Sequence, residues 1–232
     1  MNIMSSSSRV QHQSSSSALS AAKSRTQFIT NKRCPFAQKA WIALGSIDCA
    51  YDMREVSLYG AGGKPDWFWK LNPDGTVPIV VVTDEKSGAE NVFADSELIL
   101  DAVDDGRVVG GKDGILHMSF ELSDEEKSKI DQWRSMISKQ LVPVGKSAVL
   151  GGSESKLRSL LKEMNDIVEG PYLVGDSMTT ADCSAFPFLW RVDSEFGIGG
   201  SGEEKLRAWL DKCMDTESIK RTIPGQGWWW WW

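Results

Sequence analysis

Lys32-Arg33-Cys34-Pro35-Phe36-Ala37 is the stretch on which the reading of this chain turns. A short strand-like run, Thr26-Gln27-Phe28-Ile29-Thr30, precedes it, and Phe36, Ala40, Trp41 and Leu44 follow at helical spacing. Proline suits the first position of a helix and turns the residue before it away from helical geometry. Cys34 is therefore predicted at the N-cap, facing backbone N–H groups that lack a partner within the helix. Those donors, together with Lys32 and Arg33, are expected to favour the thiolate, and cysteines so placed fall from a pKa of about 8.5 to roughly 3.5–7.5. Two readings fit the motif taken alone: a capped helix with an inert thiol, or a nucleophile.

The composition narrows the choice. A net charge of −6 over 232 residues argues against a partner held by its phosphates. No apolar run reaches the length of a membrane span. Cys34, Cys49, Cys183 and Cys213 lie far apart with no CxxC pair, which points to no zinc site, no disulfide framework and a reducing compartment. Only His12 and His117 exist. Metal chemistry based on histidines is excluded, and a nucleophilic Cys34 has to be activated by backbone and charge rather than by a histidine base.

Residues 1–24 are Ser-rich and contain no acidic residue, which fits either a disordered extension or an organelle transit peptide. Over residues 25–105 the pattern runs strand, helix (Pro35 to about Ser46), strand (Tyr51 to Leu58), a glycine-padded loop, a short helix from Lys64 that ends near Asn72-Pro73, two strands (Val77–Val82, Glu90–Ala94) and a helix capped by Asp95 or Ser96. That element order, βαβ then a short helix then ββα, belongs to a thioredoxin-like domain. Residues 106–120 read as a glycine-rich linker and 121–225 as an all-helical domain, so the fold class is α+β. Ser123-Asp124-Glu125-Glu126 and Thr179-Thr180-Ala181-Asp182 are capping boxes. Helices are expected over 123–141 and 179–194, with stripes at Leu157–Val168 and Leu206–Cys213 read as core. Gly197-Ile198-Gly199-Gly200-Ser201-Gly202 satisfies G-x-G-x-x-G, but a helix precedes it where a dinucleotide site needs a strand, so it is read as an interhelical loop. The Trp-rich tail, 226–232, is assigned no function.

Four features now fall in register: Cys34-Pro35-Phe36-Ala37, Lys64-Pro65-Asp66-Trp67-Phe68 leading to Asn72-Pro73-Asp74-Gly75-Thr76-Val77-Pro78, Asp95-Ser96, and Thr179-Thr180-Ala181-Asp182. The set resembles the cysteine-type cytosolic glutathione transferases (the omega, lambda and dehydroascorbate reductase classes) over about residues 26–222. The resemblance implies the glutathione transferase fold, with glutathione as co-substrate, no metal, and a monomer or a homodimer. It also implies site residues. Pro78 stands for the family's cis-proline, presenting the Val77 backbone to the cysteinyl group of glutathione. Asp95 and Ser96 stand for the pair that holds the γ-glutamyl end, and Lys64 for the lysine that reaches the glycyl carboxylate. Pro35 fixes the helix start, and Phe36 packs on the ligand or on the core. The acidic residue is an aspartate where omega members carry glutamate, so its reach is one methylene shorter.

In this family a cysteine at the helix start implies thiol–disulfide exchange through a Cys34–glutathione mixed disulfide, as in deglutathionylation or dehydroascorbate-type reduction. Ala37 occupies the place of a resolving cysteine, which implies a monothiol cycle. A conventional glutathione-conjugating transferase and a non-catalytic binding protein of the same fold are the alternatives. The partners implied are glutathione and a small-molecule or protein thiol or disulfide, with no nucleic acid and no membrane span. The expected compartment is the cytoplasm, or a plastid or mitochondrion if residues 1–24 are a transit peptide. Trp133, Phe188, Trp190 and Arg191 are candidates for contact with a second substrate.

Overall fold

A computed structural model describes residues 24–58 and 63–223. The Ser-rich segment up to residue 23, the glycines at 60 and 62, and the Trp-rich tail lie outside the described residues. β1 (Ser24–Thr30), β2 (Tyr51–Glu55), β3 (Ile79–Asp84) and β4 (Glu90–Phe93) form one mixed sheet in the order β2-β1-β3-β4. β1 runs parallel to β2 and antiparallel to β3, and β3 is antiparallel to β4. The parallel pair needs a crossover, and α1 (Pro35–Ser46) supplies it. The other helices of this half are α2 (Asp66–Leu71) and α3 (Ser96–Asp104). This is the thioredoxin-like arrangement, and the helices that follow make the all-helical half.

Alternation along the strands splits the core in two. Phe28, Val80 and Val82 join Ala40, Ile42, Ala43 and Leu44 of α1, together with α3 and the helical half, in the large cluster. The residues of opposite parity, Ile29, Ile79 and Val81, join Cys34, Ala37, Phe68 and Val77 in a smaller one. The candidate nucleophile thus stands on the second face of the sheet.

Two strand limits differ from expectation. β2 stops at Glu55, and residues 56–58 leave the sheet to cover the small cluster after Val56 N–H makes a last bond to Thr30 O at 2.9 Å. β3 begins at Ile79 rather than Val77, because Pro78 has no N–H to place in the ladder. Residues 106–120 are tied down along their length. The Gly111 N–H donates to Ile47 O, those of Ile115 and Leu116 donate to Ser46 O, and Leu116 forms a bridge with Met178.

The helical half comprises α4 (Asp124–Met136), α5 (Val142–Val149), α6 (Glu154–Asp166), α7 (Thr180–Phe196), α8 (Glu204–Asp215) and α9 (Glu217–Lys220). The Ser123 box caps α4 as read from the sequence, with Glu126 N–H donating to Ser123 Oγ at 3.2 Å. The helix expected over 123–141 does not end there. A π turn at Ile137–Leu141 carries it into α5, whose first turn holds Pro143, a position where a missing N–H is tolerated. The glycine loop over 197–202 joins α7 to α8, and its Gly199 and Gly200 N–H groups close on Glu203 of the same chain at 3.0 and 3.2 Å.

Asp104, the last residue of α3, has a buried Oδ1 without a hydrogen-bond partner among the described residues, and burial pushes its carboxyl up to about 6. A folded-state value above the unfolded one means that the protonated form stabilises the fold. That contribution is complete below pH 3.8 and is lost as pH rises to about 6. Asp104→Asn is therefore expected to flatten the fall in stability across that window. It should also gain about 1 kcal/mol at neutral pH, a figure discounted for the partial exposure of the side chain. Urea melts of both proteins at the two ends of the window check this, and an unchanged pH dependence would refute it.

Candidate active site

Pro35 begins α1, and Cys34 sits at its N-cap in extended geometry, φ −77° and ψ 119°. The turn before it is closed by Cys34 N–H to Asn31 O at 3.0 Å, and the first helical bond runs from Gln38 N–H to Cys34 O at 2.9 Å. The thiol is 9% exposed, and its Sγ lies 3.9 Å from Val77 O. That contact brings together two residues singled out from the sequence.

The Val77 carbonyl is held by the loop before it. Asn72 is buried, its Nδ2 donates to Thr76 O and Oγ1 at 3.0 Å each, and its Oδ1 accepts from Asp74 N–H at 3.1 Å. Gly75 takes a φ of +71°, and a Cβ there would stand 2.8 Å from the Trp69 ring, so glycine is required on both counts. The Val77–Pro78 peptide is cis.

Asp95, not Ser96, caps α3: its Oδ1 accepts from Glu97 N–H at 2.7 Å and Leu98 N–H at 3.3 Å. Ser96 is buried at the first helical position. Ala94, immediately before them, packs on the cluster that contains Cys34 and Val77. Lys64 folds back, with Nζ 3.4 Å from Leu58 O and 5.6 Å from the Phe68 ring centroid, and Phe68 belongs to the same cluster. Phe36 packs edge to face on Phe188 of α7 at 5.3 Å between centroids and is 37% exposed. Pro35 and Pro78 are both buried. Among the described residues, no group of three or more His, Cys, Asp or Glu side chains is placed to hold a metal ion, and no helix is long and apolar enough to cross a membrane.

The electrostatics correct one expectation. Burial pushes the Cys34 thiol up, and the Ala37 and Phe36 amides and the Arg191 guanidinium pull it down less strongly. Lys32 and Arg33, expected to favour the thiolate, are not among the causes: both side chains are exposed, and Lys32 pairs with Glu55 at 3.6 Å. The nearby cation is instead Arg191 of α7, which is 1% exposed.

Residues 33–106 match the family model for the glutathione S-transferase N-terminal domain, and residues 145–212 match that for its C-terminal domain. The chain belongs to the glutathione transferase family. It is 30% identical over 167 residues to the chloroplastic glutathione S-transferase DHAR3 of Arabidopsis thaliana, covering 71% of this chain and 57% of that one. It is 22% identical over 197 residues to the glutathione S-transferase omega-1 of Sus scrofa, covering 80% and 75%. The chain spans little more than half the length of DHAR3 and of a chloroplastic DHAR2 of Oryza sativa, 57% and 54%. In fold it is similar to the omega 1C glutathione transferase of Trametes versicolor, with a TM-score of 0.70, 24% identity and coverage of 87% of this chain and 92% of that one. It is also similar to a homologue from Lodderomyces elongisporus solved with two GSH per subunit, with a TM-score of 0.68, 20% identity and coverage of 85% and 97%. Within the family, this chain resembles the cysteine-type omega and DHAR branches.

For this glutathione transferase, sequence reasoning missed the buried polar side chains behind the site. Lys39 of α1 pairs with Glu97 of α3 at 2.7 Å, and Glu97 pairs with Arg134 of α4 at 2.8 Å, so one carboxylate joins the two halves beneath Phe36 and Phe188. Gln38 accepts from Arg191 Nη1 at 2.7 Å and donates to Thr222 O and Oγ1 at 3.3 and 3.2 Å. The residues expected to contact a second substrate are mostly core. Trp133 and Phe188 are buried, and Arg191 lies beside Trp190, its Cζ 5.3 Å from that ring, on the protein side.

Proposed function

We propose that this chain is a glutathione-dependent thiol transferase whose nucleophile is Cys34. One observation carries the reading: the thiol stands at a helix N-cap with its Sγ 3.9 Å from the Val77 carbonyl, the backbone edge on which a glutathione cysteinyl group would pair. The similarity to DHAR and omega relatives supports it. In the first step the Cys34 thiolate attacks the glutathione sulfur of a mixed disulfide. A Cys34–glutathione disulfide forms, the old S–S bond breaks, and the released thiolate takes up a proton. In the second step a glutathione thiolate attacks the glutathione sulfur held on Cys34, giving oxidised glutathione and restoring the Cys34 thiolate. The net change reduces one mixed disulfide and oxidises one glutathione. Cys49, Cys183 and Cys213 are buried, and burial pushes their thiols up, which suits a monothiol cycle without a resolving partner.

In this reading Val77 and Pro78 bind the cysteinyl segment, Asp95 and Ser96 the γ-glutamyl end at the start of α3, and Lys64 the glycyl carboxylate, with Pro35 and Phe36 shaping the entry beside Cys34. We assign the protein to a reducing compartment, the cytoplasm, with a plastid or mitochondrion as the alternative if residues 1–24 are a transit peptide. The direct test is the intact mass after incubation with oxidised glutathione. A single adduct mapping to Cys34 is expected, and a protein that forms none is not a thiol transferase of this kind.

Lys64→Ala separates binding from chemistry. The substitution removes one charge-assisted contact to the ligand carboxylate, so KM for glutathione is expected to rise about tenfold with kcat nearly unchanged. An unaltered KM would remove Lys64 from the site.

A further inference from the structure

Arg191 is a buried cation that pairs with no carboxylate among the described residues. Its side chain enters from α7 and lies beneath the first turn of α1, where Nη2 donates to Arg33 O at 3.3 Å, the carbonyl of the peptide that ends in the Cys34 nitrogen. Nη1 donates to Gln38 Oε1 at 2.7 Å and to Pro187 O at 2.6 Å, and the buried Nε has no hydrogen-bond partner among the described residues. All its acceptors are neutral oxygens. Of the other charged groups close to α1, Lys39 pairs with Glu97, Arg134 with Glu97 and Asp101, and Lys32 with Glu55, while the Arg221 guanidinium lies at the far end of the helix against Gly45. A guanidinium taken out of water with no counter-charge is costly, and natural cores pair such groups.

We infer that Arg191 is the positioning residue whose counter-ion is the Cys34 thiolate, so that the helical half of the molecule supplies the charge that ionises the nucleophile of the other half. The inference rests on the thiol-transfer reading of the site and adds to it a residue outside the glutathione-binding set. The electrostatics of the pair agree with the geometry. Burial holds the Arg191 guanidinium down to about 10, and the one charge that raises it is that of Cys34. In return, Arg191 is the one side-chain charge that pulls Cys34 down. The pairing acts in both halves of the cycle. It raises the thiolate fraction for the first attack, and it stabilises the same sulfur when Cys34 becomes the leaving group of the second.

The test reads Cys34 ionisation without glutathione or substrate. The rate of iodoacetamide alkylation against pH, checked by ultraviolet thiolate absorbance, is measured for the full chain, R191K, R191Q and R191M, with C34S as the blank for the other cysteines. R191Q and R191M are expected to move the ionisation midpoint alkaline by about one unit, a tenfold slower alkylation at neutral pH, while R191K keeps most of the wild-type rate. Circular dichroism and melting temperature confirm folding, and either neutral variant suffices if the other does not fold. An ionisation curve that is unmoved in a folded neutral variant, or moved equally in R191K and R191Q, would overturn the inference. A wild-type chain with this ionisation behaviour but no thiol transfer would instead sink the functional reading and leave the charge pairing standing.

Discussion

Cys34→Ser is expected to lower thiol transfer by roughly three orders of magnitude, to the level of uncatalysed exchange, and to abolish the glutathione adduct in the mass spectrum. A serine hydroxyl attacks a disulfide only with a strong base beside it, and the site offers none. His117, the one histidine among the described residues, contacts Glu121 at 4.0 Å on the segment between the two halves. The elements that hold the Val77 carbonyl, Asn72 with Thr76 and Gly75 against Trp69, do not involve the thiol, so glutathione binding should persist in the variant. Loss of transfer with retained binding is therefore the informative result. A variant that keeps a tenth or more of wild-type activity would show that Cys34 is only a cap. The wild-type pH–rate profile gives a companion check. Burial pushes the Cys34 thiol above its ordinary value, so the thiolate fraction, and with it the rate, should climb as pH rises above neutrality.

The second large effect lies far from the chemistry. Asp182 is fully buried at the start of α7 and accepts four hydrogen bonds. These come from Leu173 N–H at 2.9 Å and Trp209 Nε1 at 2.8 Å on one oxygen, and from Thr179 N–H at 2.8 Å and Thr179 Oγ1 at 3.2 Å on the other. One carboxylate thus fixes the cap of α7, the segment before it and the large indole of α8. Asp182→Ala leaves four buried donors without partners, and a loss of about 3–5 kcal/mol is expected, with a fall in Tm of roughly 10 °C. Because α7 also carries Phe188 and Arg191, thiol transfer should fail on warming before it does in wild type. Denaturant melts decide the point, and a variant within about 1 kcal/mol of wild type would refute it.

These two residues also mark what the sequence made legible. Cys34-Pro35 and Thr179-Thr180-Ala181-Asp182 are local signals: a cap and the residues it serves lie within one turn, so spacing alone locates them. The element order of the first half was legible for the same reason, from strand and helix periods punctuated by glycine and proline. Gln38 and Lys39 gave no such signal, and Arg191 was singled out only as a contact for a second substrate. Each is a polar residue inside an otherwise apolar helix, where a solvent-facing position is the default reading. Their partners lie far along the chain: Gln38 and Arg191 are 153 residues apart, and Lys39 and Glu97 are 58. Lys32 and Arg33, adjacent to the cysteine in sequence, looked like its electrostatic partners, but proximity along the chain did not carry over to the folded site. The continuation of α4 through a π turn into α5 was not legible, because Pro143 lies in the first turn of α5, where a proline fits a fresh helix start as well as a continuation.

The tie between Gln38 and Thr222, 184 positions apart, has a meaning for biosynthesis. Translation delivers Cys34 early, whereas α7 and the segment that steadies its arginine leave the ribosome close to the end of the described chain. A nascent polypeptide released only through α5 carries the thiol on a helix whose guanidinium neighbour does not yet exist, and whose Gln38 has neither of its partners. Long-range closures of this kind form last. With Cys34 as the proposed nucleophile, the protein matures that thiol and its last helical segment together, and a chain that stalls part-way through synthesis presents Cys34 without the contacts of the finished site.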